Sequence, residues 1–145
     1  MPQFREYRAA DRGACLRIFD ENCPEFFAAN EREDYETFLD GGETDYVVVL
    51  EEGLVAGAFG LAPHGDGVAL RWILFARAMQ GRGLGRAVMT RVFEEMRARD
   101  VKVLHIAASH KSAPFFARFG AQGIMTTPDG WGPGMDRVDM VLEVP

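Results

Sequence analysis

The chain has 145 residues, 48% of them hydrophobic, enough to bury a core of its own. Its formal net charge of −6 argues against general nucleic-acid binding, which needs a basic face to displace counterions, and no apolar run reaches the length of a bilayer span. The two cysteines, Cys15 and Cys23, are too few for a disulfide framework and the first residues lack an apolar leader, so a reduced, cytoplasmic setting is expected.

In chain order, Phe4 to Arg8 alternates like a short strand. From Asp11 the period turns helical, with Cys15, Ile18, Phe19 and Asn22 on one face and Pro24 as the limit. Asn30 followed by Glu33 predicts a capping box, and Glu31, Glu33 and Asp34 fit the acidic first turn and solvated face of a second helix. Tyr35, Phe38 and Leu39 give that helix its apolar stripe, and Gly41-Gly42 ends it. Tyr46–Leu50, Leu54–Leu61 and Val68–Phe75 are β-rich runs separated by turn residues, which predicts an antiparallel meander.

Beyond Leu84, Val88, Val92 and Met96 recur at a four-residue step with Met89 and Phe93 filling the stripe, so a helix runs to about Arg99. Val101–Ala108 is the next strand, and a strand–helix–strand unit pairs its strands in parallel. Ser112–Phe119 predicts a short helix. Gln122–Thr127 and Val138–Val144 are expected as final strands joined by a long glycine- and proline-rich loop at 128–134. Residues 1–145 are therefore expected to form one α+β domain with a mixed sheet.

The organising stretch is Gln80-Gly81-Arg82-Gly83-Leu84-Gly85-Arg86, which follows a strand and opens the longest helix. Glycines allow the backbone to turn sharply and approach a bulky ligand. The amides that follow belong to a helix N-terminus, where free N–H groups and the dipole favour an anion. The stretch lacks the Gly-Lys-Ser/Thr of a Walker loop, and its two-residue glycine spacing does not fit the dinucleotide fingerprint. It reads as a phosphate cradle outside the common nucleotide folds.

Gln80-Gly81-Arg82-Gly83-Leu84-Gly85 resembles the pyrophosphate loop, Gln/Arg-x-x-Gly-x-Gly/Ala, of GNAT-type N-acetyltransferases. Ser112-Ala113-Pro114-Phe115-Phe116-Ala117-Arg118-Phe119-Gly120-Ala121 is similar to that family's segment after the fifth strand, and the element order matches over essentially the whole chain. The resemblance implies a mainly antiparallel sheet flanked by helices and splayed between its fourth and fifth strands, with acetyl-CoA as co-substrate in the cleft. It implies that Ile73, Leu74 and Phe75 end a bulged strand whose backbone pairs with the pantetheine arm. Gln80, Gly81, Arg82, Gly83, Leu84, Gly85 and Arg86 would hold the pyrophosphate. Ser109 would meet the pantetheine, and Phe115 and Phe116 would lie beside the acetyl end. The implied reaction is direct transfer of the acetyl group to the amine of a small molecule or peptide, by proximity and backbone stabilisation of the oxyanion.

The chain also departs from the pattern. Phe116 stands where many members carry a tyrosine that protonates the leaving thiolate, and Arg71 and Trp72 supply no carboxylate near the end of the fourth strand. A non-catalytic acyl-CoA-binding module, or a transferase of another acyl group, is therefore carried alongside. His105 and Ser109 are the remaining weak catalytic candidates, with His110 exposed and His64 in a hairpin turn. Trp131 is either an acceptor-recognising lid or a pin for its loop, and Asp136, Arg137 and Asp139 read as solvent-facing. No metal or membrane partner is expected, and a homodimer could form if the edge of the last strand is free.

Overall fold

The computed structural model describes residues 2–42 and 45–145. Strands β1 (Gln3–Glu6), β2 (Tyr46–Glu51), β3 (Leu54–His64), β4 (Gly67–Phe75), β5 (Val103–Ser109), β6 (Gln122–Gly132) and β7 (Met135–Glu143) form one sheet in the order β1-β2-β3-β4-β5-β7-β6. Its neighbours are antiparallel except β4 and β5, which run parallel. The helices are α1 (Arg12–Glu21), α2 (Glu31–Asp40), α3 (Leu84–Ala98) and α4 (Ala113–Ala117). No helix among the described residues is long and apolar enough to cross a membrane.

Alternation along the strands sends side chains to two separate cores. On one face, Val88, Met89, Val92 and Met96 of α3 are buried on Phe59, Leu61, Leu70, Leu104 and Ile106. This is the stripe the sequence shows, and α3 supplies the crossover that makes β4 and β5 parallel. On the other face, Cys15, Ile18 and Phe19 of α1 and Tyr35 and Leu39 of α2 pack on Tyr46, Val48, Ala58 and Leu74. These two helices cover the β2–β4 side and leave the floor around Ala69, His105 and Ala107 open to the cleft.

Three expectations change. The segment 128–134 is not a long loop: β6 continues to Gly132 and a tight turn leads into β7 at Met135. Asp129 holds the hairpin by accepting the Gly134 N–H at 2.8 Å, while Asp136 accepts the Asp129 N–H at 2.9 Å. The Asn30–Glu33 capping box does not form. Asn30 instead donates its side-chain N–H to the Trp131 carbonyl at 2.8 Å, tying the α1–α2 connection to the β6–β7 hairpin. The last strand is internal, between β5 and β6, so the free edge on that side belongs to β6.

Candidate active site

β4 and β5 pair over only three residue pairs, from Val68–Leu104 to Leu70–Ile106. Beyond them β4 continues on β3 alone and β5 on β7 alone, so their facing backbone edges separate. A cleft of about 1650 Å³ opens at this splay and runs from the α1–α2 connection to the start of α3. That exceeds the usual space of a single small-ligand site, roughly 300–1000 Å³, and leaves room for two substrates side by side.

At one end lies the glycine turn. Gly81 and Gly83 adopt φ of 80° and 81°, a left-handed conformation that glycine takes without a Cβ penalty. The amides of Gly81, Gly83, Leu84, Gly85 and Arg86 donate to no backbone carbonyl among the described residues. They form a cluster of free donors at the positive end of a 15-residue helix, the arrangement an anion needs. Gly85 has a different role: a Cβ there would lie 2.6 Å from the Phe115 ring, so its lack of side chain lets α4 press against α3. Arg86 lines the cleft and stacks its guanidinium on Phe119, 6.0 Å from the ring centre. Arg82 points elsewhere, towards a small concavity beside Pro2 and Glu51.

At the middle lies the end of β4. Ala58 opposes Leu74 and Gly60 opposes Arg71, so Trp72 and Ile73 together face Phe59 alone: a β-bulge. Trp72 carries the strain of the bulge with φ 46°, a region bulky residues seldom adopt. Tyr46 holds it there, donating its phenol O–H to the Trp72 carbonyl at 2.6 Å, with the Tyr35 hydroxyl 2.8 Å behind. Burial keeps both phenols protonated by raising them far above the ordinary tyrosine value, so each remains able to donate. Tyr46, expected from the sequence only as the first residue of a strand, is therefore the clamp of the bulge.

The structure brings most of the sequence-derived residues to this cleft. Ile73, Leu74, Phe75, Gln80, Gly81, Gly83, Leu84, Gly85, Ser109, Phe115 and Phe116 all contribute to its wall. Phe116 is 3% exposed and belongs mainly to the core, with the Phe115 ring 5.0 Å away. Ser109 is buried, and its hydroxyl is engaged with Ser112: it accepts the Ser112 N–H at 3.1 Å and lies 3.1 Å from the Ser112 hydroxyl. His105 lines the floor with His64, their rings 4.4 Å apart, so His64 belongs to the cleft and not merely to a turn. His110 is exposed, with its Nδ1 accepting the Asp136 N–H. Trp131 is pinned: its indole N–H donates to the Ala108 carbonyl at 2.9 Å and Arg137 lies over its ring. It is a fixed wall of the cleft, and Arg137 pairs with Asp139 beside it.

Two residues at the cleft carry no motif. Asn22 is buried, and its side-chain amide donates to Ile18 at 2.8 Å and Phe75 at 2.9 Å while accepting from the Gln80 amide at 2.8 Å. Gln80 thus spends its side chain fixing the glycine turn to α1. Glu31 is the second. Its place in an acidic run suggests a solvated cap, yet it is buried and lines the cleft, whereas Glu33 and Asp34 are exposed. Cys15, by contrast, is an inert core thiol that burial pushes up to about 11. No grouping of three or more potential metal ligands occurs among the described residues.

An antiparallel sheet is opened by one short parallel pairing, and a helix start with free amides stands at the opening, so the cleft offers an unpaired strand edge beside donors suited to an anion. The family model of the GNAT acetyltransferases matches residues 15–121, and the chain belongs to that family; acetyl-CoA is the co-substrate its reaction uses. Among solved structures, the fold is shared with a protein described as a GNAT-family acetyltransferase from Desulfovibrio desulfuricans, at 24% identity and TM-score 0.81 over 100% of both chains. It is shared too with the ribosomal-protein-S18-alanine N-acetyltransferase of Escherichia coli, at 17% identity and TM-score 0.79, covering 99% of this chain and 94% of that one. A Salmonella typhimurium protein solved with acetyl-CoA is 19% identical, TM-score 0.72, covering 100% of this chain and 95% of that one. No curated protein sequence matches the chain.

Proposed function

We propose that residues 1–145 act as one N-acetyltransferase domain that passes the acetyl group of acetyl-CoA directly to an amine held in the same cleft. The observation that carries this is the meeting of a free-amide cradle at the start of α3 with the unpaired edge of a bulged β4. The free amides of Gly81, Gly83, Leu84, Gly85 and Arg86 bind the pyrophosphate, with the Arg86 side chain beside them. Arg82 contributes through the local field, since its side chain faces away from the cleft. The backbone around Ile73, Leu74 and Phe75 aligns the pantetheine arm and polarises the thioester carbonyl, and Ser109, Phe115 and Phe116 border the acyl end.

In the reaction the amine nitrogen attacks the thioester carbon, its carbonyl oxygen takes the charge, and the carbon–sulfur bond breaks to release coenzyme A thiolate. Backbone N–H groups already in place hold the oxyanion without reorganisation. Phe116 offers no proton to the thiolate, which leaves as the anion and takes its proton from solvent. His105, on the open floor beside His64, is the side chain that takes the proton the amine nitrogen must lose. A cytoplasmic setting accords with the two free cysteines. A second copy would add at the edge of β6, where Ile124 and Met125 are 65% and 59% exposed.

Calorimetric titration with acetyl-CoA, followed by thiol release over a panel of amines, tests the reading. Absence of acetyl-CoA binding would sink it. The buried Phe116 favours one rival, an acyl-CoA-binding module without turnover. Tight cofactor binding with no transfer to any amine would establish the rival. If thiolate protonation limits turnover, Phe116→Tyr raises kcat by about a hundredfold, the lower end for a positioned acid; an unchanged kcat shows that the thiolate needs no acid.

A further inference from the structure

The cleft has a wall that none of the cofactor contacts above uses. Glu31, the first residue of α2, is 5% exposed. One of its oxygens accepts the Ala28 N–H at 2.8 Å, and no other hydrogen bond engages the carboxyl among the described residues. No Lys, Arg or His of the described residues lies within ion-pair distance of it. Buried carboxylates are as a rule paired, because an ionised group removed from water is costly without a counter-charge. The cost is visible here: burial, with some help from Asp34, raises the carboxyl to about 7 despite the lowering effect of the Ala28 N–H.

Phe26, Phe27 and Trp72 line the cleft together with Glu31. Phe27 and Trp72 stack at 6.3 Å and 27°, and Tyr35 backs Trp72 at 4.8 Å. Aromatic faces attract ammonium groups, most strongly when water is excluded. Ala28 and Asn30 abut Gly132, so the β6–β7 hairpin closes this end of the cleft.

We propose that Glu31, with the aromatic wall of Phe26, Phe27 and Trp72, is the receptor for the primary ammonium of the acceptor, and that acceptors are cationic amines with an apolar or aromatic group beside the nitrogen. This rests on the transferase reading for the acceptor's presence in the cleft. A Glu31 that merely capped the turn at Ala28 would do so equally well as glutamine.

The experiment compares phenethylammonium with its neutral isostere 2-phenylethanol by calorimetry, with and without saturating CoA. The wild type binds the ammonium at least about tenfold tighter than the alcohol, a preference of roughly 1.4 kcal/mol. Glu31→Gln, which keeps an acceptor for the Ala28 N–H, brings the two affinities together. Phe27→Leu supplies an independent arm: it weakens the ammonium about threefold more than the alcohol, since the cation–π attraction belongs to the cation alone. Equal wild-type affinities, binding of neither probe, or a preference that survives both substitutions overturns the proposal. The outcomes separate the two readings. Acetyl transfer that persists with the preference intact in both variants removes the receptor and keeps the transferase. An ammonium preference lost in Glu31→Gln in a protein that does not bind acetyl-CoA keeps the receptor and removes the transferase.

Discussion

Tyr46→Phe tests how the bulge of β4 is held. Tyr46 is 1% exposed, and its hydroxyl sits between the Trp72 carbonyl at 2.6 Å and the Tyr35 hydroxyl at 2.8 Å. Phenylalanine keeps the ring, so the packing with Phe38 and Tyr35 survives. The substitution leaves a strained carbonyl and a buried phenol short of a partner, each at a cost of about 1–3 kcal/mol. Taking about 2–6 kcal/mol in all, and about 3 °C per kcal/mol for a domain of this size, the melting temperature falls by roughly 6–18 °C. On the proposed reading function falls further, because Trp72 at φ 46° relaxes once its carbonyl is released, and the bulge proposed to align the thioester relaxes with it. Thermal melts followed by circular dichroism read the first effect, and the KM and kcat of thiol release read the second. Tyr7→Phe is the control, since the Tyr7 ring packs on Tyr46 with no side-chain hydrogen bond of its own among the described residues. A Tyr46→Phe protein that melts within about 2 °C of the wild type and turns over normally would refute the clamp.

The other substitutions separate holding a phosphate from folding. Gly83→Ala, at φ 81°, costs about 1–2 kcal/mol of left-handed strain, and its larger effect is a higher KM for acetyl-CoA in initial-rate assays as the amide cluster turns away. Gly85→Ala sets a methyl 2.6 Å from the Phe115 ring; stability changes little, because the helix gains propensity as the ring shifts, and acetyl-CoA affinity by calorimetry falls as Phe115 moves into the cleft. Glu31→Gln alters stability in a pH-dependent way. The wild-type carboxyl is raised from 4.5 to about 7, so its contribution is fully present below pH 4.5 and is lost as the pH rises through about 7. Urea denaturation should therefore show the variant more stable than wild type at pH 8, by at most about 3 kcal/mol, with the gain gone at pH 4.5; an equal gain at both would show that the carboxyl is not perturbed.

What was legible in the sequence is what local periodicity encodes. The stripe Val88, Met89, Val92, Phe93 and Met96 fixed α3, and the β-rich runs fixed β2 to β4, because each depends on neighbours within a few residues. The cradle was legible for the same reason: its glycines and the helix start are contiguous. β6 was read too short because its continuation rests on distant partners, the Ala108 carbonyl for Trp131 and Asn30 for the hairpin end. Glu31 was misread because capping and burial use the same residue at the same place in a helix, and only the tertiary setting distinguishes them. Asn22 showed only as a position on a helix face; its three side-chain partners are 4, 53 and 58 residues away.

Asn22 also joins the two ends of the cleft. Its backbone carbonyl accepts the N–H of Phe26 at 2.8 Å and of Phe27 at 3.3 Å, so it anchors the aromatic wall. Its side chain reaches Phe75 at the end of β4 and Gln80 at the entrance to the glycine turn. One residue thus joins the proposed seat of the amine to the proposed seat of the phosphate. A displacement of the wall by an incoming amine works against the same amide that steadies the cradle, and thermodynamic reciprocity obliges the cradle's occupant to alter the wall by an equal free energy. The coupling between the two proposed seats then runs through a single carboxamide.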